Sequence, residues 1–399
     1  MALGRKPIEI VNEGKHQLLV KAEHWNRIYL KEVAKVQNGY AFSSKNFVKT
    51  GGLPLIRIRD IDSTSTVDRF DGEYSDEFIV TKGDVLIGMD GDFKVARWKG
   101  DDALLNQRVC RIIPKSKDFD SKFLFICLQP YLNAINEETS SVTVKHLSSR
   151  TIEEIPLPYP PLPEQQAIVS KIEELLSDLE NGKQQLILAQ QQIKIYRQSL
   201  LKWAFEGKLT NKNVKEGELP EGWKIAPLGN ICDMKAGFFV KAVEIQKEYN
   251  EGLFPCYGGN GLRGYTESYT HKGTFSLIGR QGALCGNVHR VNGVFHATEH
   301  AVVTSAKDGI DTDWLFHKLT AMKLNQYSAG AAQPGLSVNK LLKIEVLFPT
   351  LKEQKLIVDE LESKLTVCDK IEETISQSLQ QAESLRQSIL KKAFEGKLV

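Results

Sequence analysis

The chain repeats itself. Residues Arg197 to Leu209 read RQSLLKWAFEGKL, and Arg386 to Leu398 read RQSILKKAFEGKL, 189 positions later. The same offset pairs Glu164 and Gln165 with Glu353 and Gln354, and Ile168 and Val169 with Ile357 and Val358. It also pairs Leu147, Ile155 and Pro160 with Leu336, Ile344 and Pro349. An internal repeat signals one structural unit built twice. The constant offset leaves no insertion or deletion between the two blocks, so their length matters. A weaker match relates Trp25, Leu30, Val33, Val36 and Gly39 to Trp223, Leu228, Ile231, Met234 and Gly237. Between these anchors the two copies diverge almost completely.

The repeated blocks are helical. Pro156 to Pro163, PLPYPPLP, is read as non-helical text that ends a domain. From Glu164 to about Phe205, apolar residues fall at Ile168, Ile172, Leu175, Leu179, Leu186, Ala189, Ile193, Tyr196, Leu200 and Trp203. Steps of three and four make a heptad. A stretch of ~40 residues spans roughly 60 Å at ~1.5 Å per residue, more than a small domain needs. A second helix is predicted from about Lys352 to Phe394. Its stripe is Ile357, Leu361, Cys368, Ile371, Ile375, Ala382, Leu385 and Ile389, interrupted by Lys364 and Ser378. Each stripe must be buried. The alternation of domain and helix favours an antiparallel pair of the two helices over one core helix in each domain.

The intervening text is strand-rich. LPLIRIRDI, DEFIV, DVLIGM and QRVCRIIP in the first copy, and TFSLIG, NVHRV and HAVVTS in the second, read as strands. FLFICLQPYLNAI and DWLFHKLTAM read as helices. The predicted fold is therefore α+β: two mixed α/β domains joined by two long antiparallel coiled-coil helices, with a pseudo-twofold internal repeat. The boundaries are an N-terminal extension 1–24, a first domain 25–160, a helix 161–207, a linker 208–222, a second domain 223–349 and a helix 350–399. At 399 residues the chain is long enough for two cores.

Composition excludes little. A net charge of +2 neither advertises nor forbids a nucleic-acid partner. No apolar run approaches ~18 residues, so no membrane span is expected, and a cytoplasmic location follows. The six cysteines form no C-x-x-C pair and read as buried thiols. Gly259, Gly261 and Gly264 spell G-x-G-x-x-G, but strand or loop text follows where a dinucleotide site needs a helix. His296 and His300, with Cys285 upstream, lack further zinc ligands; the spacing would put both rings on one face of a strand. Asp90 and Asp92 in GMDGDF lack the rest of a calcium loop. No catalytic, cofactor-binding or metal-binding set can be assembled, which favours a binding module over an enzyme.

Candidate binding residues are plainer. Lys45, Arg57, Arg59, Lys94, Arg97 and Lys99 lie in or beside loop-like text of the first domain; Arg263, Lys272, Arg280, Gln281 and Arg290 do so in the second. Lys and Arg hold phosphates, whereas Arg, Asn and Gln can read base edges bidentately. Any one of them could equally be a solvated surface charge. Thr143, Lys145 and His146 lead into HLSSRTI, and Gln333 leads into GLSVNKL at the matching place, so two loops at equivalent positions differ in sequence.

Taken in order, these pieces resemble the specificity subunit of type I restriction–modification enzymes. The matching text is Pro161-Leu162-Pro163-Glu164-Gln165, Ala204-Phe205-Glu206-Gly207-Lys208-Leu209, Pro220-Glu221-Gly222-Trp223 and Ala393-Phe394-Glu395-Gly396-Lys397-Leu398. The resemblance implies that each domain recognises one half of a bipartite, asymmetric double-stranded DNA target. It implies that the helices fix the spacing and dock two modification subunits, which carry the adenine-N6 methyltransferase activity. Up to two restriction subunits would join them. S-adenosylmethionine, ATP and Mg would be bound by those partners and no cofactor by this chain, which would be non-catalytic. The alternatives are a self-contained DNA methyltransferase or nuclease, and a coiled-coil scaffold that never touches DNA. Residues 1–24 depart from the repeat, whose second lead-in is Thr210 to Gly222.

Overall fold

A computed structural model describes residues 5–139, 144–211, 213–215, 217–282, 284–330 and 334–399. The chain divides into two compact units, Met1–Gln185 with Ser378–Val399, and Leu186–Gln377. Each long helix is divided between them.

In the first unit, strands Asn26–Tyr29 and Pro156–Tyr159 pair antiparallel and bring the domain's two ends together. A four-stranded sheet follows the order Ala34–Asn38, Val109–Pro114, Val85–Gly88, Val95–Arg97. Five shorter strands between residues 47 and 105 make a second sheet. Helix Ser121–Glu138 starts where the Asp120 carboxylate accepts from Lys122 N (2.8 Å) and Phe123 N (2.9 Å), satisfying two of its first N–H groups. It buries Phe123, Leu124, Cys127, Leu128 and Leu132 in the core.

The second unit repeats this plan with a different interior. Strands Lys224–Pro227 and Glu345–Phe348 close it. A six-stranded sheet runs Cys232–Ala236, Ala301–Ala306, His271–Gly279, Val288–Ala297, Phe254–Gly258, Gly261–Thr266. Its helix Thr312–Ala321 is capped by Asp311 as the first is by Asp120.

The long helices span Leu162–Phe205 and Leu351–Phe394, 44 residues each. In the first unit, Ile168 and Ile172 from the start of one share a core with Ile389, Ala393 and Phe394 from the end of the other. In the second unit, Leu200 and Ala204 from the end of the first share a core with Ile357, Leu361 and Cys368. The helices are therefore antiparallel within each unit. Arg197 ion-pairs with Asp369 and with Glu372 (3.1 Å).

Two details differ from the reading of the text. The proline-rich stretch is split: Pro156–Tyr159 is a strand, whereas Pro163 lies in the first turn of the helix, where its missing N–H costs nothing. Of the expected seam, Tyr196, Trp203, Ile371 and Leu385 are exposed by 41–51%. A straight helix drifts about 20° per heptad against a strict 3.5 repeat, so a heptad stripe leaves the contact line.

The repeated text has a repeated structural role. The Trp25 indole N–H donates to Glu164 (3.1 Å), and that of Trp223 donates to Glu353 (3.1 Å). Gln165, fully buried, accepts from Asp120 N (2.8 Å) and donates to the carbonyls of Asp118 and Pro160. Gln354 does the same with Asp311 N (2.7 Å) and the carbonyls of Gly309 and Pro349. Gly207 and Gly396 end the helices at φ +77° and +65°, which glycine adopts without strain. A Cβ at Gly207 would meet Pro220 at 2.5 Å and Trp223 at 3.4 Å; one at Gly396 would meet Ala22 at 2.8 Å and Trp25 at 3.3 Å. The N-terminal segment thus does for the first unit what the lead-in to Trp223 does for the second. Its Ile10, Leu19 and Ala22 are buried in the first core.

Candidate nucleic-acid interface

In the first unit, strand Val85–Gly88 runs out into Met89-Asp90-Gly91. Met89 N donates to Arg108 O (3.0 Å), Leu147 N donates to Met89 O (2.7 Å), and Gly91 N donates to Lys145 O (3.0 Å). These bonds clamp two loops together, with Asp90 bridged to His146. In the second unit, strand His271–Gly279 runs out into Arg280-Gln281-Gly282. Arg280 N donates to His300 O, Leu336 N to Arg280 O and Gly282 N to Pro334 O, each at 3.0 Å. Gln281 is bridged to Gly335. Gly91 and Gly282 both take positive φ, +77° and +86°. One backbone corner is therefore built twice. It carries Asp90, Arg108 and His146 in one unit and Gln281, His300 and Gly335 in the other.

The side chains differ entirely. Asp90, whose side chain is 17% exposed, lies between two more exposed groups: His146 Nδ1 at 2.6 Å and Arg108 Nη1 at 3.1 Å. In the second unit Gln281 is exposed, His300 Nε2 lies 3.2 Å from Glu299, and Gly335 has no side chain. Hydrogen-bonding groups at the open end of a strand, on loops held by a rigid sheet, suit recognition.

Several of the other predicted residues are engaged by neighbouring groups. Lys145 Nζ donates to the carbonyl of Asn136 (2.5 Å) and to its side-chain oxygen (3.0 Å). Arg57 and Arg59 share Asp68 at 2.9 and 2.7 Å; Lys94 and Lys99 share Asp62 at 2.5 and 3.0 Å. Lys45 is exposed. Arg97 lies over the Phe125 ring and donates to the carbonyls of Gly83 and Ser121. Arg290 pairs with Asp313 at 2.6 Å, at the start of helix Thr312–Ala321. Arg263 and Lys272 are exposed on strands. Thr143 and Gln333 lie outside the described residues.

Neither Asp90, weighed only as part of a calcium loop, nor Arg108 is among the residues predicted to contact DNA. His296 and His300 do not share a strand face as their spacing predicted. Strand Val288–Ala297 ends after His296, which is buried against Ser268 Oγ (3.2 Å) and the Phe238 carbonyl (3.3 Å), and His300 sits in the turn beyond. Cys285 Sγ donates to the Arg280 carbonyl (3.2 Å). Among the described residues no group of three His, Cys, Asp or Glu side chains is arranged to hold a metal, and no helix is long and apolar enough to cross a membrane.

The family model for the type I restriction modification DNA specificity domain matches twice, at residues 22–189 and 220–381. The chain is 32% identical to the EcoBI type I restriction enzyme specificity subunit of Escherichia coli, over 98% of this chain and 90% of that one. It is 34% identical to the EcoprrI specificity subunit of Escherichia coli, over 86% and 88%. Among solved structures, a chain from work on complex assembly and conformational transition of the type I R-M system shares the fold. Its TM-score is 0.74 at 19% identity, covering 94% of this chain and 99% of that one. The HsdS subunit from Thermoanaerobacter tengcongensis gives a TM-score of 0.62 at 19% identity, over 94% and 98%. A frame built twice around two unlike corners, matched twice by one family, makes this chain a member of the type I restriction–modification DNA specificity family.

Proposed function

We propose that each unit reads one half of a bipartite, asymmetric double-stranded DNA target, and that the paired long helices set the spacing between the halves. On this reading the helices also dock two modification subunits carrying adenine-N6 methyltransferase activity, and up to two restriction subunits join for cleavage. This chain is non-catalytic, works in the cytoplasm, and leaves S-adenosylmethionine, ATP and Mg to its partners. The observation that carries the reading is the doubled corner: identical backbone hydrogen bonds present Asp90, Arg108 and His146 in one unit and Gln281, His300 and Gly335 in the other. Two different half-sites require such a pair. Docking is supported by exposed apolar side chains on both long helices, among them Leu188, Ile195, Tyr196 and Trp203 on the first and Leu356, Val367, Ile371 and Leu385 on the second. Such surface suits the docking of a partner. Two equivalent frames suit two copies of one partner.

The test is exchange of residues 238–335 for the corresponding stretch of a relative with a different target. Methylated sites are then mapped across the genome of a host that also expresses the modification subunit. One half-site changes while the other half-site and the spacer stay. If both halves change, or if no bipartite motif appears even with the natural chain, the reading is wrong.

A further inference from the structure

Resting on that reading, we infer that the side chains carried by the doubled corners discriminate the bases. Arg108, held beside His146 by Asp90, presents hydrogen-bond donors to a guanine in one half-site, and Gln281 reads an adenine in the other.

The corner is fixed by backbone bonds that are the same in both units, so its construction is independent of which side chains it carries. What varies is the chemistry presented. In the first unit the Asp90 carboxylate holds His146 at 2.6 Å on Oδ1, and Arg108 Nη1 lies 3.1 Å from Oδ2 and 3.4 Å from Oδ1. The outer groups are 46% and 57% exposed, so a partly buried acid holds an imidazole and a guanidinium that face solvent, and the guanidinium keeps free donors. Guanine offers two acceptors, N7 and O6, on its major-groove edge, the pattern a held arginine fits. Asp90 is then a positioning residue. In the second unit Gln281 carries one donor and one acceptor, the pattern that matches adenine N6 and N7. Gly335, standing where the first unit has His146, removes the side chain that would crowd that approach. The cations farther out suit phosphate contacts, which position the duplex without reading it. Arg57, Arg59, Lys94 and Lys99 answer to this description.

The test uses the chain assembled with its modification subunits. Arg108→Ala and Gln281→Ala are made separately, with Lys45→Ala as the phosphate-type control, and methylated motifs are mapped for each. Arg108→Ala relaxes one guanine in one half-site, Gln281→Ala relaxes one adenine in the other, and Lys45→Ala leaves the motif unchanged. Where a variant methylates too weakly to map, binding of the assembled complex is measured by fluorescence anisotropy. The duplexes carry the mapped natural target and the same target with that one base pair replaced. Discrimination between them falls by roughly 10-fold to 100-fold for the variant. Full discrimination retained at every base by both variants overturns the inference. The reading of two half-site domains survives that outcome if the exchange of residues 238–335 still changes one half-site, so the two failures are distinguishable.

Discussion

At the scale of a single residue, Lys318 carries a cost that the fold does not repay with a carboxylate. It is 8% exposed, among the described residues no acid pairs with it, and its ammonium lies 5.1 Å over the Phe205 ring. Burial pushes its pKa down to about 8. The unfolded chain holds this proton up to the ordinary lysine range, near 10.4, so between about 8 and that range the unfolded state binds more protons. The penalty is therefore full below pH 8 and fades as pH rises toward 10.4. Lys318→Met is expected to stabilise the second unit at pH 7 by up to about 3 kcal/mol, taking about 1.4 kcal/mol per unit of pKa, less the lost cation–ring attraction. Comparing variant and parent by urea unfolding at pH 7 and pH 10 cancels the contribution of the buried thiols that both share. A gain of equal size at both pH values would show that the desolvated charge is not its source.

At the scale of the element, the start of each long helix is pinned by one glutamine. Gln165 and Gln354 are fully buried and each satisfies one backbone N–H and two carbonyls. Leucine has a similar volume but leaves those groups without partners, at about 1–3 kcal/mol for each buried orphan. Gln165→Leu and Gln354→Leu should each lower thermal stability by several degrees, and by similar amounts because the two sites are alike. A loss for one and not the other would break the equivalence. The glutamines were visible in the text as matched letters; their reason was not, because their partners at residues 118–120 and 309–311 belong to loops outside the aligned block. The corners were hidden for a related cause. Asp90 and Gln281 are 191 apart, Arg108 and His300 are 192 apart, and His146 and Gly335 are 189 apart. Loops of unequal length shift the register between elements, so no single offset lays the three pairs side by side. The helices were legible because periodicity is local, whereas the sheet order of each interior depends on pairings between distant strands.

At the scale of the whole molecule, the two helices have equal length, 44 residues, although the domains that precede them have diverged. If they set the spacing of the target, one heptad inserted into both at matched positions adds about 10 Å, at ~1.5 Å per residue. At 3.4 Å per base pair that is a spacer longer by about three base pairs. Mapping methylated motifs for the lengthened chain measures this directly, and an unchanged spacer would refute a measuring role for the helices. The sharing of these helices has another consequence, for the order in which the molecule can be finished. The second unit is one continuous stretch, Leu186–Gln377, but the first needs Ile389, Ala393 and Phe394 to complete its core, and Lys391 reaches back to Gln17. Domains ordinarily mature in the sequence in which a ribosome releases them. Here the half that emerges first waits with an open core until the last turns of the second long helix arrive, and the half that emerges second closes before it.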